Sequence, residues 1–264
     1  MNIFIMVDAE GISGIYSPEQ VMSTGRRYEE GRELMVRDIN ACVEGCKQAG
    51  VDKIYVRDAH GSGSNIVWSK LSDLADYYII GYTGKDRFPG LEECDGLILL
   101  GYHSMAGTEG GILEHTMSSA SVQNYWINGM KAGEIAIDAG IAGDRGVPVI
   151  MVSGDDKACS EAEQLLPGVV TCEVKKGITW KGGMMLPPGR AYDLIRNKTK
   201  EAVEKLRQQT LKPLRYEKPI KLRVEMTERG LLPHSYSKPY MKIIDGRTYE
   251  VEGSTVEEAL FRLY

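Results

Sequence analysis

The chain has 264 residues, 26% of them charged, and a formal net charge of −5 at pH 7. This length suits one large domain or two modest ones, and an acidic balance without a Lys/Arg run predicts no nucleic-acid partner. No apolar run approaches the ~20 residues of a membrane span and no secretory signal is visible, so we expect no membrane association and a cytoplasmic location. The five cysteines are scattered and odd in number, which is typical of a reducing compartment.

The first predicted strand runs straight into two carboxylates. Five apolar residues, 3–7, are followed by Asp8 and Glu10. A short continuous apolar run is typical of a strand buried on both faces, and residues two apart in an extended chain point to the same side. Two acids at a buried strand end repel each other unless a cation neutralises them. The alternative is that Asp8 caps a turn and Glu10 is solvated.

A helix is predicted over residues 28–49, where apolar side chains recur with helical spacing and Gly50 follows as a C-cap. Cys42 and Cys46 lie on its apolar face and could form a ligand pair. We favour small core residues instead, because free cysteine buries readily.

Two further strand predictions end in histidine. Residues 53–58 form the second strand candidate, which ends in Asp58 and leads to His60. Residues 95–102 form the most apolar strand candidate, and His103 follows it directly. The same arrangement, an apolar strand followed by a possible metal ligand, therefore occurs three times.

The remaining elements alternate between strands and helices. In chain order we predict a short helix at 68–74, strands at 77–81 and 121–128, a helix at 132–142, a strand at 147–152, a helix ending at Leu166 and capped by Asp155 or Asp156, and a strand at 169–174. This alternation indicates an α/β fold with a largely parallel sheet flanked by helices.

The composition changes near residues 182–189, which contain Gly, Met and Pro pairs. We predict a boundary there, between an α/β metal-binding catalytic domain at 1–185 and a smaller C-terminal α+β domain at 186–264. For the second part we expect a long helix at 190–209, strands at 220–226 and 240–244, and a helix from 255 to the end.

Histidines and carboxylates are predicted to meet at one edge of the sheet. Ligands of open parallel sheets bind outside the carboxyl ends of the strands, which is where Asp8, Glu10, Asp58, His60 and His103 would lie, with His115 nearby. Histidine and carboxylate together are ligands for zinc and related ions, and this set exceeds what one catalytic zinc uses. Singly, each histidine could be structural, and Glu134 could complement a helix dipole. His234 is expected on the surface and unrelated.

Several separate motifs resemble those of the zinc-dependent D-aminopeptidases associated with bacterial dipeptide-transport operons. In matching order they are Val-Asp-Ala-Glu-Gly-Ile-Ser-Gly at 7–14, Asp-Ala-His at 58–60, Gly-Tyr-His at 101–103, His-Thr-Met at 115–117 and Gly-Glu at 133–134. Val-Ser-Gly-Asp-Asp at 152–156 also matches, and we interpret it as structural.

The resemblance implies a binuclear zinc centre in a homo-oligomer whose active sites face an inner cavity, with a short peptide bearing an N-terminal D-amino acid as substrate. It places five residues as metal ligands: Asp8, Glu10, His60, His103 and Glu134. His115 becomes the catalytic residue outside the ligand set. Carboxylate-rich sites also accept Mn²⁺ or Co²⁺ in place of Zn²⁺.

We further predict how the five ligands divide between the two ions. Asp8 bridges them, Glu10 and His60 complete one, and His103 and Glu134 complete the other. Asp58 would orient His60, because a ligating imidazole usually donates its other N–H to a partner.

Two other functions remain open from the sequence. One is a different two-metal hydrolase, such as a phosphoesterase, which needs cationic groups near the metals; Arg26, Arg27 and Arg57 are the ones close to the motifs. The other is a non-catalytic α/β domain that binds a small ligand.

Overall fold

The computed structural model describes residues 1–209, 211–233 and 238–263, so His234 lies outside the described residues. The strands of this part of the chain are β1 (Asn2–Val7), β2 (Lys53–Asp58), β3 (Tyr77–Ile79), β4 (Gly96–Tyr102), β5 (Val122–Ile127), β6 (Met130–Lys131), β7 (Val149–Asp155), β8 (Val170–Thr179), β9 (Gly182–Met185), β10 (Ile220–Met226), β11 (Met241–Ile243) and β12 (Thr248–Gly253). The helices are α1 (Pro18–Val21), α2 (Tyr28–Gln48), α3 (Glu134–Asp144), α4 (Asp156–Leu165), α5 (Pro188–Gln208) and α6 (Val256–Arg262).

The larger sheet has the strand order β3-β2-β1-β4-β7-β8-β9. All neighbouring strands in it run parallel except β8 and β9, which form an antiparallel hairpin. The predicted α/β fold with a largely parallel sheet is therefore confirmed. The strand β1 lies near the middle of the sheet, between β2 and β4, as expected of an apolar run buried on both faces.

Alternate residues of β1 pack into different layers of the core. Ile3 and Ile5 lie in the cluster that contains Ile39 of α2 and Val203 of α5. Phe4 and Met6 face the other way, into the cluster that holds Leu222 and Val251 of the smaller sheet and the apolar side chains of α3. The period of two along a strand thus places helices on one face of the sheet and a second sheet with α3 on the other.

The smaller sheet is antiparallel, with the order β11-β12-β10-β5-β6. Its strands β5 and β6 precede α3, whereas the other three follow residue 219. Helix α5 packs against α2 on the larger sheet. The smaller sheet therefore contains strands from both sides of residue 185, and the larger sheet is covered by a helix that follows it. The division into domains at 185/186 stays a prediction.

Two predicted elements differ in detail, and some observed elements were not predicted. Instead of a helix at 68–74 the chain makes one 3-10 turn, Trp68–Lys70, because the Asn40 side chain bonds the Lys70 carbonyl and the Ser72 amide and replaces helical bonds there. Strand β12, in which Tyr249 and Val251 are buried, was not predicted. Strand β5 was predicted, but it pairs in the smaller sheet.

The long helix α2 ends as predicted, with Gly50 at a positive φ of 70°. Cys42 and Cys46 are fully buried, free core residues. Within the described part of the chain, no helix is both long and apolar enough to cross a membrane.

Candidate metal centre

Three strand ends place acids and imidazoles side by side. Because β1 pairs in parallel with β2 and β4, Val7 lies opposite Asp58 on one side and Leu100 on the other. The residues that follow these positions, Asp8, His60 and His103, therefore meet at one edge of the sheet. The predicted convergence is confirmed, and Asp8 and His103 are almost completely buried.

The imidazole of His60 lies between a backbone carbonyl and two acids. Its Nε2 is 3.0 Å from the Val21 carbonyl oxygen. A carbonyl can only accept a hydrogen bond, so this nitrogen carries the proton. Its Nδ1 lies 3.1 Å from Asp8 Oδ1 and 3.2 Å from Glu10 Oε2.

His103 and His115 repeat this arrangement. His103 Nδ1 is 3.0 Å from the Ser104 carbonyl oxygen, and His115 Nδ1 is 2.9 Å from the Leu113 carbonyl oxygen. His103 Nε2 lies 3.3 Å from both Asp8 Oδ2 and Glu134 Oε1, and His115 Nε2 lies 3.6 Å from Glu134 Oε1. The two rings stack, with centroids 4.1 Å apart. In all three histidines the nitrogen that faces the acids is the one left without a proton in the neutral ring.

The atoms at the centre of this cluster lack hydrogen-bond partners. Asp8 Oδ2, Glu10 Oε2 and His103 Nε2 are buried, and none makes a hydrogen bond to a described residue. Buried polar atoms are nearly always paired, and leaving one unpaired is costly. Ligand atoms of Asp8, Glu10 and His103 lie within 4.8 Å of one another, as do those of His103, His115 and Glu134. Carboxylate oxygens and imidazole nitrogens are zinc ligands, so the residues present fit such an ion.

With this geometry in place, three comparisons agree. A family model described as D-aminopeptidase matches residues 1–263. The chain belongs to the D-aminopeptidase family. It is 34% identical over 250 residues to a D-aminopeptidase of Bacillus subtilis (strain 168), covering 94% of this chain and 89% of that protein. It is also similar to the solved structure of the Zn-dependent D-aminopeptidase DppA from Bacillus subtilis, described as a self-compartmentalizing protease, with a TM-score of 0.91 and 33% identity over 98% of this chain and 94% of that one. The family predicted from the motifs is confirmed.

In this member of the D-aminopeptidase family, the imidazoles and carboxylates of the cluster shift one another's pKa values. Burial by itself would lower the pKa of His60, but the carboxylates of Glu10 and Asp8 outweigh it and raise that pKa well above its ordinary value. The pKa of His103 rises in the same way beside Glu134 and Asp8. Burial raises the pKa of Glu134, yet His103 lowers it to about 2. Positive charge is thus strongly favoured between these acids, whether carried by protons or by divalent cations.

A buried lysine that the sequence analysis did not identify holds the loop after β1. Lys175 Nζ donates to the carbonyl oxygens of Glu10, Ile12 and Ile15 at 2.6, 2.8 and 2.6 Å. Burial lowers the pKa of Lys175 to about 8. Lys175 follows Val174 in β8 and comes directly after the strand predicted at 169–174, and a lysine next to a buried strand was the one available signal.

Asp58 does not orient His60 as predicted. Its carboxylate accepts hydrogen bonds from the Asn65 amide at 2.6 Å and the Ile66 amide at 3.2 Å. The ring N–H of His60, at Nε2, donates its hydrogen bond to the Val21 carbonyl oxygen instead. Asp58 therefore shapes the loop that carries His60, because Asp58 is the last residue of β2 and the loop folds back over its carboxylate.

The opposite wall of the site is held by two acids. Glu134, the first residue of α3, accepts the Met117 amide at 2.7 Å. Asp155 caps α4, as predicted, and its second oxygen accepts the Ile112 amide at 2.8 Å. Both bonds fix the loop that carries His115.

A cavity of about 550 Å³ opens above the cluster. Asp8, Glu10, His60, His115 and Glu134 line its floor, and other parts of the chain form its walls: Pro18, residues 21–24, Tyr28, residues 59 and 61–62, Asn65, Arg87, Leu113, residues 117–120 and Trp180. Each predicted site residue except His103 faces this space, and His103 lies directly beneath His115.

Proposed function

We propose that the protein is a zinc-dependent aminopeptidase that removes N-terminal D-amino acids from short peptides, using two metal ions in each subunit. One observation carries the proposal: three imidazoles, each with one nitrogen fixed by a backbone carbonyl, turn the other towards three buried carboxylates, two of which, Asp8 and Glu10, have an oxygen without a hydrogen-bond partner among the described residues. Family membership supplies the activity class, and the similarity to a Zn-dependent relative favours zinc.

The five ligands divide between the ions around Asp8. Its Oδ1 lies near His60 and its Oδ2 near His103, so one carboxylate reaches both groups of ligands. Glu10 and His60 would complete one site, and His103 and Glu134 the other. Mn²⁺ or Co²⁺ can occupy such ligands in place of Zn²⁺.

In the reaction, water adds across the peptide C–N bond, its oxygen to the carbonyl carbon and a proton to the leaving amine. Bound zinc supplies Lewis-acid polarisation and makes a coordinated water acidic near neutral pH. His115 is suited to the proton transfer, because its Nδ1 proton is held by Leu113 and its Nε2 is free to accept a proton in the cavity. The catalytic role of His115 outside the ligand set is part of this proposal.

The cavity gives little support to a phosphoesterase. Among the described residues that line it, the only Lys or Arg is Arg87, whose guanidinium is held by Asp138 at 2.5 and 2.9 Å. Arg27 is likewise held by Glu30 and Tyr16. Arg57 lines a neighbouring cavity and not this one. A phosphate ester needs free cationic groups next to the metals.

The function is tested with zinc-loaded protein on D-alanyl and L-alanyl amides and on a phosphate ester. We expect rapid hydrolysis of the D-alanyl amide, slower hydrolysis of the L-isomer and none of the phosphate ester. Phosphate-ester turnover above amide turnover would favour the phosphoesterase. Zinc binding without turnover of either amide would favour a domain that only binds a ligand.

The homo-oligomer that encloses a cavity belongs to the same proposal. The hairpin of β8 and β9 exposes Ile178 (61%), Trp180 (40%) and Met184 (59%), and Trp180 also lines the active-site cavity. Exposed apolar side chains grouped in this way indicate an interaction surface. Light scattering should give a mass several times that of one chain, and Ile178→Asp should reduce it; a monomeric wild type would contradict the assembly. The cytoplasmic location stays a prediction.

A further inference from the structure

A second, smaller cavity adjoins the one above the metal centre. It has a volume of about 310 Å³, and five of its lining residues also line the larger cavity: Ala59, Gly61, Ser62, Arg87 and Met117. The two cavities therefore lie next to each other, on either side of the residues that they share.

Arg57, the penultimate residue of β2, lies in the wall of this smaller cavity. The residue is 9% exposed. Its Nε and Nη1 are buried, and no described residue accepts a hydrogen bond from either. A buried cation without a partner is costly, so such groups are normally paired.

The acidic side chains near Arg57 do not act as its partner, because each already accepts hydrogen bonds from other residues. The acids whose charges act on Arg57 are Asp58, Asp86 and Asp138. Their existing partners are Asn65 for Asp58, Arg145 for Asp86 at 2.8 Å, and Arg87 with Tyr102 for Asp138. Of these charged side chains, Arg57 is the cation whose buried Nε and Nη1 have no hydrogen-bond partner among the described residues.

The rest of the cavity wall suits a small organic group. Met117, Leu260 and Phe261 give it an apolar side. Gly61, Gly81 and Gly84 form its mouth with positive φ angles, and a Cβ added at any of them would meet no atom within 4 Å. The space therefore combines one unpaired guanidinium with an apolar wall and an open entrance.

We propose that this cavity binds the C-terminal carboxylate of a dipeptide or tripeptide whose N-terminal residue lies at the metal centre, with Arg57 as the carboxylate's partner. The inference rests on the proposed function and narrows its substrates to short peptides with a free carboxyl terminus. Guanidinium and carboxylate form charge-assisted hydrogen bonds, so a substrate of this kind supplies the anion that no described residue provides for Arg57.

The test compares two substrates that differ only in this group, D-alanyl-D-alanine and D-alanyl-D-alaninamide. For the zinc-loaded wild type, kcat/KM for the free acid should exceed that for the amide by about tenfold or more, the effect of one hydrogen-bonded charge. Arg57→Met should bring this ratio close to one, mainly through a higher KM for the acid. Arg57→Lys should keep part of the preference.

Stability provides a second readout. Arg57→Met removes a buried cation that has no partner in the fold, so its melting temperature should equal or exceed that of the wild type. Arg223→Met is the matched control, because Arg223 is paired with Glu250 in the smaller sheet, and it should leave the substrate ratio unchanged.

The outcomes separate the two proposals. If the wild type hydrolyses both substrates equally well, or if Arg57→Met lowers both by the same factor, the carboxylate subsite is wrong and the aminopeptidase stands. If the zinc-loaded wild type hydrolyses neither substrate, the proposed function itself fails.

Discussion

Two buried clusters of charge lie near the same sheet edge, and they differ in one respect. In the first, Asp138 accepts hydrogen bonds from Arg87 and from Tyr102, so each of its oxygens has a donor. In the second, Asp8 Oδ2, Glu10 Oε2 and His103 Nε2 have no hydrogen-bond partner among the described residues. Burial is similar, but only the first cluster is complete within the protein.

This difference indicates that the charged residues around Asp138 stabilise the fold, whereas those around Asp8 bind a ligand. A complete buried pair contributes to stability only while both partners remain, and removing one partner is strongly destabilising. An incomplete cluster is retained because something else binds there. Substitutions in the first cluster should therefore change stability, and substitutions in the second should change metal content and activity.

The largest effect is expected from Asp8→Asn. Asp8 approaches both His60 and His103, so its loss should remove metal from both sites and lower activity at least about 10³-fold. Metal analysis and the D-alanyl amide assay measure the two results together. Full activity with intact metal content would contradict the proposed bridging role of Asp8.

A matched control for this change is Asp95→Asn. Asp95 precedes β4 at the opposite end of the sheet and accepts only the Asn2 amide at 2.7 Å among the bonds of its side chain to described residues. Its substitution should leave both the metal content and the activity of the enzyme unchanged.

His115→Ala should lower turnover by about 10²-fold or more while both metals stay bound, because the proposed role is proton transfer. Steady-state kinetics and metal analysis of the same preparation check this. An unchanged rate would remove His115 from the mechanism. Loss of one metal would make it a ligand, which its 3.6 Å distance from Glu134 allows.

In the complete cluster, Asp138→Asn should lower the free energy of unfolding by about 3–5 kcal/mol, because it leaves the Arg87 cation buried without its partner. Denaturant unfolding measures the loss. The folded variant should still bind zinc to the wild-type level. Asp193→Asn, at an exposed ion pair on α5, is the control and should change stability by less than about 0.5 kcal/mol. If Asp138→Asn lost zinc but kept its stability, the assignment of this cluster to the fold would be wrong.

The smallest effect is expected from Glu161, a partly buried acid beside the site that accepts the Met105 amide at 2.8 Å. Burial raises the pKa of Glu161 to about 7. A raised carboxyl pKa means that the folded protein holds the proton more tightly, so its contribution to stability is present at low pH and is lost as pH rises through about 7.

Glu161→Gln removes this titration and keeps an acceptor for the Met105 amide. The melting temperature of the variant relative to the wild type should therefore increase between about pH 5.5 and pH 8.5, because only the wild type loses a stabilising contribution as pH rises through the pKa of about 7. Glu201→Gln, at an exposed position of α5, should show no such trend. A difference that stays constant with pH would show that Glu161 is ionised throughout this range.

Much of the site could be predicted from the sequence because its residues follow strand ends. Asp8, His60 and His103 each come just after an apolar run, and the carboxyl ends of parallel strands meet at one edge. Glu134 was predicted in the first turn of a helix at 132–142 and became a ligand candidate through the resemblance; it is the first residue of α3. The fold class followed from the alternation of strands and helices.

The rest could not be predicted because it depends on contacts between distant parts of the chain. Lys175 bonds Glu10 across 165 residues, and no local pattern indicates that contact. Asp58 was expected to accept the other N–H of the His60 ring, but its carboxylate accepts the backbone amides of His60, Asn65 and Ile66 instead. Arg57 was considered only as a weak cation near the motifs, because its lack of a partner is visible only in three dimensions.

The most direct test of the account is a zinc titration of metal-free protein with activity followed at each addition. We predict that activity on a D-alanyl amide is absent at first, rises with zinc and reaches its plateau at two zinc ions per chain. Full activity in the metal-free protein, or a protein that binds no zinc at the cluster of Asp8, His60 and His103, would contradict it.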